Sequence, residues 1–271
     1  MRLFFFLLLG LASVGSALAD LKLETRFGTL NYETDGFEME GFFARPADLK
    51  EGEKRPGILL IHDWTGLQDY AKERTRQLAE LGYVAFAADV YGKGIRPKNP
   101  KECGVQAGLY RGQRDLFRKR LTAGLEILKK QPGVDPDQLA AIGYCFGGTG
   151  VLELARSGAP VKGVVSFHGG LDSPAPEDGK NIKGKVLILH GADDPHVPQE
   201  KINAFVKEMR EAKVDWEMVS YGGAVHSFTK KAAGDDPSKG SAYHADADRR
   251  SWDHMQRFFA EIFGAADPQA R

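Results

Sequence analysis

The sequence predicts an α/β protein in which a mostly parallel, twisted sheet carries helices on both faces and an antiparallel hairpin at its N-terminal end. Three observations support this prediction. Short continuous apolar runs, such as residues 57–62 and 83–88, are typical of strands buried on both faces. Segments with helical spacing alternate with these runs. A polar turn at residues 34–36 joins two stretches near the start of the chain.

In chain order, the hairpin strands are predicted at residues 23–32 and 37–44. Glycine, proline and charged residues interrupt the pattern between residues 89 and 114, so an irregular segment is expected there. The remaining strands are predicted at residues 57–62, 83–88, 139–142, 161–167, 186–190 and 215–221, and the helices at 69–81, 114–130, 146–156, 198–212 and 245–263.

Length and charge limit the possible organisation and partners. A chain of 271 residues with 42% hydrophobic content can bury one large core, so residues 20–271 are expected to form a single domain. The formal net charge of zero gives no basic surface for nucleic acid or for an anionic membrane. We therefore expect no nucleic-acid partner, no stable membrane association and a monomer.

Residues 1–19 have the pattern of a secretory signal peptide. Arg2 supplies the charged start, residues 3–9 are apolar, and small residues at 17–19 precede Asp20. The apolar run is short for a bilayer span. We expect cleavage after Ala19 and a periplasmic or secreted protein, with an uncleaved N-terminal anchor as the alternative.

The stretch at residues 139–150, LAAIGYCFGGTG, predicts a nucleophile elbow with Cys145 in the place of serine. An apolar strand leads into it, a helical pattern follows it, and Gly143 and Gly147 lie two residues on either side of the cysteine. Glycine suits a strained turn in which backbones approach closely. A helix N-terminus also favours thiolate. The alternative is a glycine-rich turn that holds a small buried cysteine.

The nucleophile needs a base, and the base needs an orienting acid. After a nucleophile elbow these are expected later in the chain, first the acid and then the histidine. Asp193 and Asp194 follow the strand at 186–190, and His226 follows the strand at 215–221, so both lie at the carboxyl edge of the sheet. Asp194 is preferred because it stands three residues before Val197, at the start of the next helix. Asp193 is expected to cap or face solvent. The alternative for His226 is a histidine on a surface loop.

Cys103 and Cys145 are the only cysteines, and export would permit a disulfide between them. Because the elbow is more specific than a count of two, we expect Cys103 to be a free thiol. No metal site and no cofactor are expected, since no pair at metal-ligand spacing occurs among the other histidines, His62, His168, His190, His196, His244 and His254.

The elbow at residues 143–148, Asp194 and the run at 226–228 together resemble the dienelactone hydrolase family of α/β-hydrolases. The resemblance extends from about residue 28 to residue 263. It implies an α/β-hydrolase fold and a triad of Cys145, Asp194 and His226 that acts on esters or lactones.

The resemblance also implies roles for residues 61–67. Asp63 takes the position of a glutamate that contacts the resting cysteine in the family and helps to form the thiolate, although its side chain is one methylene shorter. The amides of Trp64 and Phe146 are expected to form the oxyanion hole. The alternative for Asp63 is a helix cap or a loop salt bridge.

Two lysines, Lys93 and Lys230, stand where the family's lactonases use arginines to hold a substrate carboxylate. Lysine keeps the charge but loses the planar bidentate fork. We expect both lysines and Tyr91 to bind the substrate, with solvated surface lysines as the alternative.

Taken together, the sequence predicts an exported hydrolase that cleaves a carboxylic ester or lactone through a thioester on Cys145. Two other functions remain open. An acyltransferase would use the same triad with an acceptor other than water, and a non-catalytic periplasmic binding protein would retain the site only as a vestige.

Overall fold

The computed structural model of the protein describes residues 23–264, so the predicted signal peptide lies outside the described residues. Eight strands form one sheet in the spatial order β1-β2-β4-β3-β5-β6-β7-β8. In chain order the elements are β1 (Thr25–Thr34), β2 (Phe37–Pro46), β3 (Arg55–Ile61), α1 (Asp69–Glu80), β4 (Val84–Ala88), α2 (Pro100–Gly112), α3 (Arg114–Lys129), β5 (Val134–Tyr144), α4 (Phe146–Arg156), β6 (Gly163–Phe167), β7 (Lys185–Gly191), α5 (Gln199–Ala212), β8 (Trp216–Tyr221) and α6 (Ala245–Phe263).

The pairing of the strands confirms the predicted fold class. β1 pairs antiparallel with β2, and β2 pairs antiparallel with β4. All the other neighbours, from β4 to β8, run parallel. The hairpin turns at Asp35 and Gly36, whose φ angles of 53° and 73° suit a tight turn between twisted strands.

The sheet separates two hydrophobic cores. Along β3, Leu59 and Ile61 face one core, while Ile58 and Leu60 face the other. Helices α2 to α5 cover the first core, and α1 and α6 cover the second. The continuous apolar runs in the sequence follow from this burial on both faces. None of the helices within residues 23–264 combines the length and apolarity needed to cross a membrane.

The prediction of an irregular segment at residues 89–114 is wrong, because α2 occupies Pro100–Gly112. Gly104, Gly108 and Gly112 interrupt the apolar spacing by which a helix is recognised. The start of α2 does carry a local signal. Asn99 accepts a hydrogen bond from the Glu102 amide at 3.0 Å, and Pro100 occupies the first turn.

Strand β5 is longer than predicted and begins at Val134 instead of residue 139. Its first residues, Val134 and Asp135, pair with Arg55 and Pro56 on β3. The register then shifts between Pro56 and Gly57. Because this extension depends on pairing with a distant strand, the polar residues in it give no alternating pattern to recognise.

The first prediction concerns the glycine before the cysteine. A Cβ atom on Gly143 would lie 2.0 Å from the Gly147 carbonyl oxygen, so Gly143→Ala should lower the free energy of unfolding by about 3 kcal/mol or more. Gly104→Ala is the matched control, since a Cβ atom there meets nothing within 4 Å. It should raise stability by about 0.5–1 kcal/mol. Urea denaturation measures both, and a Gly143→Ala protein as stable as the unchanged chain would contradict the close approach.

Candidate active site

Cys145 lies at the junction of β5 and α4, in a turn that only small neighbours allow. A Cβ atom on Gly147 would lie 2.1 Å from the Ile61 carbonyl oxygen, which shows how closely α4 approaches β3. Cys145 itself has a φ of 55°, a left-handed conformation that a side chain rarely adopts. The local structure is therefore the strained strand-to-helix turn that the sequence predicts.

The structure brings the three predicted triad residues together. His226 Nε2 lies 3.0 Å from Cys145 Sγ, and His226 Nδ1 lies 2.8 Å from Asp194 Oδ2. The other oxygen of Asp194 accepts a hydrogen bond from the His196 amide at 2.8 Å. The side chain of Asp194 has no exposed surface, and that of His226 is 12% exposed. Sulfur, imidazole and carboxylate thus form one continuous buried chain.

Residues 231–244 hold the loop that carries His226. The His226 carbonyl accepts a hydrogen bond from the Ala242 amide at 3.0 Å, and His226 forms an isolated bridge with Ser241. The His244 amide donates to the Phe228 carbonyl at 3.0 Å. The long segment after β8 therefore fixes the position of the imidazole through main-chain bonds.

The three groups change one another's protonation. Burial disfavours a charged sulfur, but the charge and hydrogen bond of His226 outweigh it, so the pKa of Cys145 is lowered. Burial also disfavours a charged imidazole, yet Cys145 and Asp194 raise the pKa of His226 to about 10. Burial opposes the charge on Asp194 as well, and bonding to His226 lowers the pKa of that carboxyl. The resting site favours a thiolate and imidazolium pair.

The two amides expected to form the oxyanion hole, those of Trp64 and Phe146, lack protein acceptors within residues 23–264. His62 orients the first, because His62 Nδ1 donates to the Asp63 carbonyl at 2.7 Å while Nε2 accepts from the Val90 amide at 3.1 Å. In a trans peptide the N–H points away from the carbonyl, so the Trp64 N–H is directed away from His62. The sequence analysis gave His62 no role.

Asp63 forms a loop ion pair, which was the alternative in the sequence analysis. Its Oδ2 lies 2.6 Å from Lys230 Nζ, and its Oδ1 accepts from the Thr65 amide at 2.7 Å and from the Thr65 hydroxyl at 2.5 Å. No bond between Asp63 and Cys145 exists in the described structure, which contradicts the contact with the resting cysteine implied by the resemblance. Both oxygens are already engaged on the shorter side chain. The Asp63 charge instead acts to raise the pKa of Cys145.

Tyr91 and Lys93 have different surroundings. The Tyr91 hydroxyl donates to the Trp64 carbonyl at 3.1 Å, and its ring lies 5.4 Å from that of Phe146. Lys93 Nζ instead lies 3.3 Å from Glu38 on β2, and its described contacts do not bring it to the triad. Tyr91 therefore packs against Trp64 and Phe146, whose amides are the expected oxyanion donors, and the substrate-binding roles of Tyr91 and Lys93 stay predictions.

Two residues near the sulfur were missed. Arg111 on α2 places its guanidinium carbon 6.0 Å from the centre of the Phe146 ring, and no carboxylate within residues 23–264 pairs with it. It was missed because α2 was missed. The second is His168, whose Nδ1 accepts a hydrogen bond from the Cys145 amide at 3.2 Å. No local sequence signal marks that contact.

Two choices made from the sequence, those for the acid and for the pairing of the cysteines, agree with the structure. Asp193 is exposed and accepts from the Gly223 amide at 3.0 Å, so Asp194 alone of the two contacts His226. Cys103 and Cys145 are both free thiols. In the part of the chain that the structure describes, no group of three or more His, Cys, Asp and Glu side chains is arranged to hold a metal ion.

Similarity to known sequences and structures identifies the family of this chain. Residues 39–263 match the sequence profile of the dienelactone hydrolase family. A dienelactone hydrolase-like promiscuous phosphotriesterase from metagenomic libraries is 40% identical, with a TM-score of 0.82 over 88% of this chain and 98% of its own. A structure named m3DLH is 41% identical, with a TM-score of 0.84 over 88% and 98% of the two chains.

A curated relative from Bradyrhizobium, named as a probable 2-oxo-3-(5-oxofuran-2-ylidene)propanoate lactonase, is 25% identical over 72% of this chain and 81% of its own. The profile match spans most of the described chain, including the strand ends that carry Cys145, Asp194 and His226. The chain therefore belongs to the dienelactone hydrolase family, with the α/β-hydrolase fold, and is a hydrolase of the ester or lactone type.

Proposed function

We propose that the protein hydrolyses a carboxylic ester or lactone through a thioester on Cys145. The observation that carries this proposal is the position of His226, which touches the sulfur with one ring nitrogen and the carboxylate of Asp194 with the other. A base held between nucleophile and acid is the arrangement that covalent acyl transfer needs.

In the first half of the reaction, the Cys145 thiolate attacks the substrate carbonyl carbon and forms a C–S bond. The amides of Phe146 and Trp64, free of other acceptors, would stabilise the oxyanion, each by about 3 kcal/mol. The C–O bond then breaks, and the leaving alcohol takes the proton from His226 Nε2. With a lactone, that alcohol stays attached to the acyl group.

In the second half, neutral His226 removes a proton from water as the water oxygen attacks the thioester. Collapse of this intermediate breaks the C–S bond, releases the carboxylic acid and restores the thiolate and imidazolium pair. Asp194 keeps the imidazole in one tautomer and orientation throughout, because its carboxylate bonds Nδ1 at 2.8 Å.

A second candidate function is hydrolysis of a phosphate triester. The observation that favours it is the 40% identity to a protein described as a promiscuous phosphotriesterase, which spans 98% of that chain. Attack by the Cys145 thiolate on phosphorus would expel the same kind of alcohol, again with the proton of His226. Water would then hydrolyse the S–P bond.

We also propose that the protein acts as a monomer outside the cytoplasm after removal of residues 1–19. The charged start at Arg2, the apolar run and the small residues before Asp20 support export. The balanced charge of the chain gives no reason for a membrane or nucleic-acid partner.

The second prediction tests the triad with one aryl carboxylic ester and one aryl phosphate triester. Cys145→Ala should abolish turnover of both, and Asp194→Asn should lower kcat by about 10²- to 10⁴-fold, as loss of the orienting acid does in serine triads. Asp193→Asn is the matched control and should keep kcat within about twofold, since within residues 23–264 the Asp193 side chain bonds only the Gly223 amide. Undiminished ester turnover by Cys145→Ala would refute the assignment. A folded protein without any turnover would indicate a binding protein.

The third prediction concerns the charge on the sulfur. Because the pKa of Cys145 is lowered and that of His226 is raised to about 10, Cys145 should have a larger thiolate fraction at pH 7 than an ordinary cysteine, and that fraction should fall as the pH is lowered. Iodoacetamide should therefore alkylate Cys145 at pH 7. Cys103 is the internal control, because burial raises the pKa of its thiol.

In His226→Ala the burial of Cys145 is no longer opposed, so its pKa should rise and alkylation at pH 7 should slow about tenfold or more. Mass spectrometry of the two cysteine peptides measures both rates. Equal labelling of the two cysteines in the unchanged protein would argue against the ion pair.

The fourth prediction tests whether Lys230, which is paired with Asp63, binds a charged substrate. Asp63→Asn keeps the bond from Thr65 but frees Lys230, so it should raise the kcat/KM ratio of a carboxylate-bearing ester to a neutral ester by about tenfold. Lys230→Met should lower the same ratio by a similar factor. Lys231→Met removes a charge one residue away and should leave the ratio unchanged. Ratios that move in one direction in both Asp63→Asn and Lys230→Met would show that Lys230 does not bind the substrate charge.

A further inference from the structure

A second buried histidine lies beside the triad and has no role in the reaction steps above. His168 directly follows β6 and is 2% exposed. Its ring centre lies 5.3 Å from that of His226, with the two rings nearly perpendicular at 65°. Its φ of 40° is in the left-handed region, so the chain holds this residue in a conformation that is uncommon for a side chain.

The hydrogen bonds of His168 fix its tautomer. The Cys145 amide donates to His168 Nδ1 at 3.2 Å and to the Phe167 carbonyl at 3.0 Å. Because a peptide N–H can only donate, Nδ1 carries no proton. The ring therefore has its proton on Nε2, which donates to the Thr229 hydroxyl at 2.7 Å.

The surroundings of His168 favour the neutral ring. Burial lowers its pKa well below the usual value, and the positive charges of His226, Arg74 and Lys230 act in the same direction. A second proton on the ring would remove one of the two acceptors of the Cys145 amide and leave only the Phe167 carbonyl. The bond from the Cys145 amide to His168 Nδ1 therefore requires a neutral His168 ring, and it favours that neutral form in turn.

A buried hydrogen-bond chain supports the ring from behind. The Thr229 hydroxyl shares a hydrogen bond of 2.6 Å with the Tyr70 hydroxyl on α1. The Thr229 carbonyl accepts from Arg74 at 3.0 Å, and Arg74 forms an ion pair with Asp248 on α6. Hydrogen bonds through Thr229 therefore connect His168 to α1, to α6 and to the loop that carries His226. A side chain that only filled space would need no such network.

We propose that His168 is a positioning residue for the nucleophile, which holds the main chain of Cys145 in its left-handed conformation through the unprotonated Nδ1. The inference rests on the proposed function of Cys145. It also explains the choice of oxyanion donors, because the Cys145 amide is occupied and leaves those of Phe146 and Trp64 free.

Two substitutions separate the two nitrogens of the ring. The amide oxygen of His168→Asn can take the place of Nδ1 as acceptor, but it cannot reach Thr229. The amide of His168→Gln can replace Nε2 as donor to Thr229, but it leaves the Cys145 amide without its second acceptor. If His168 only fills space, the two variants should behave alike after correction for stability.

The experiment measures kcat and KM with a neutral aryl ester, the unfolding free energy, and the iodoacetamide alkylation rate of Cys145 against pH, all in a Cys103→Ala background. We expect His168→Gln to lower kcat about 10- to 100-fold with KM within about threefold, and His168→Asn to keep kcat within about fivefold. Alkylation of Cys145 at pH 7 should slow about tenfold in His168→Gln only. Equal effects of the two variants on kcat and on alkylation would overturn the proposal.

If neither His168 variant folds, Thr229→Val provides the test. It removes the hydroxyl that His168 Nε2 bonds and changes the shape of the side chain little. It should lower kcat and slow alkylation with KM unchanged, and values equal to those of the unchanged protein would overturn the proposal. Thr149→Val is the matched control, since the buried Thr149 hydroxyl has no partner within residues 23–264. If the unchanged protein hydrolyses no ester, the proposed function fails. The role of His168 can then still be tested, because alkylation of Cys145 requires no ester.

Discussion

The contact of 3.0 Å between Cys145 Sγ and His226 Nε2 is the interaction on which the site depends. Both groups are buried, and burial alone would keep both of them neutral. Each charge is stable there only because the other is present, and Asp194 adds a second negative group on the far side of the imidazole. Loss of His226 would leave the sulfur and the Asp194 carboxylate buried without a positive partner, so both would shift towards their protonated forms. The surrounding structure keeps two distances short, from His226 to Cys145 and from His226 to Asp194.

The sheet provides this through neighbouring strands. β5, β6, β7 and β8 lie side by side and run parallel, so their carboxyl ends meet at one edge. In that order they deliver Cys145, His168, Asp194 and His226. The lack of a side chain at Gly147 lets the first turn of α4 approach the Ile61 carbonyl closely, directly after the sharp turn at Cys145. Strain at Cys145 persists because the sheet and α4 hold both ends of the turn.

Those features that depend on local sequence could be predicted from it. The helices Phe146–Arg156 and Ala245–Phe263 begin and end where the spacing predicts, and the elbow glycines mark the nucleophile. Contacts between distant residues could not. The bond from the Cys145 amide to His168 spans 23 residues, and that from His168 to Thr229 spans 61. A lone histidine at the end of a strand has no periodic pattern, so its partners follow only from the three-dimensional arrangement. Lys93, to which the resemblance gives a substrate-binding role, likewise contacts a residue distant in the sequence, Glu38, and no local pattern predicts that contact.

One negative charge near Cys145, that of Asp63, is already paired with a lysine. Asp63 does not bond Cys145, and its carboxylate instead neutralises Lys230 at 2.6 Å in a pair whose side chains are 5% and 20% exposed. An incoming carboxylate must therefore compete with Asp63 for Lys230, and any separation of that pair leaves a buried negative charge near the thiolate. Arg111 is different, because it is exposed above Phe146 and has no carboxylate partner within residues 23–264. The charge of Lys230 is thus paired with Asp63, whereas Arg111, on the helix α2 that the sequence pattern conceals, adds a positive charge that helps to lower the pKa of Cys145.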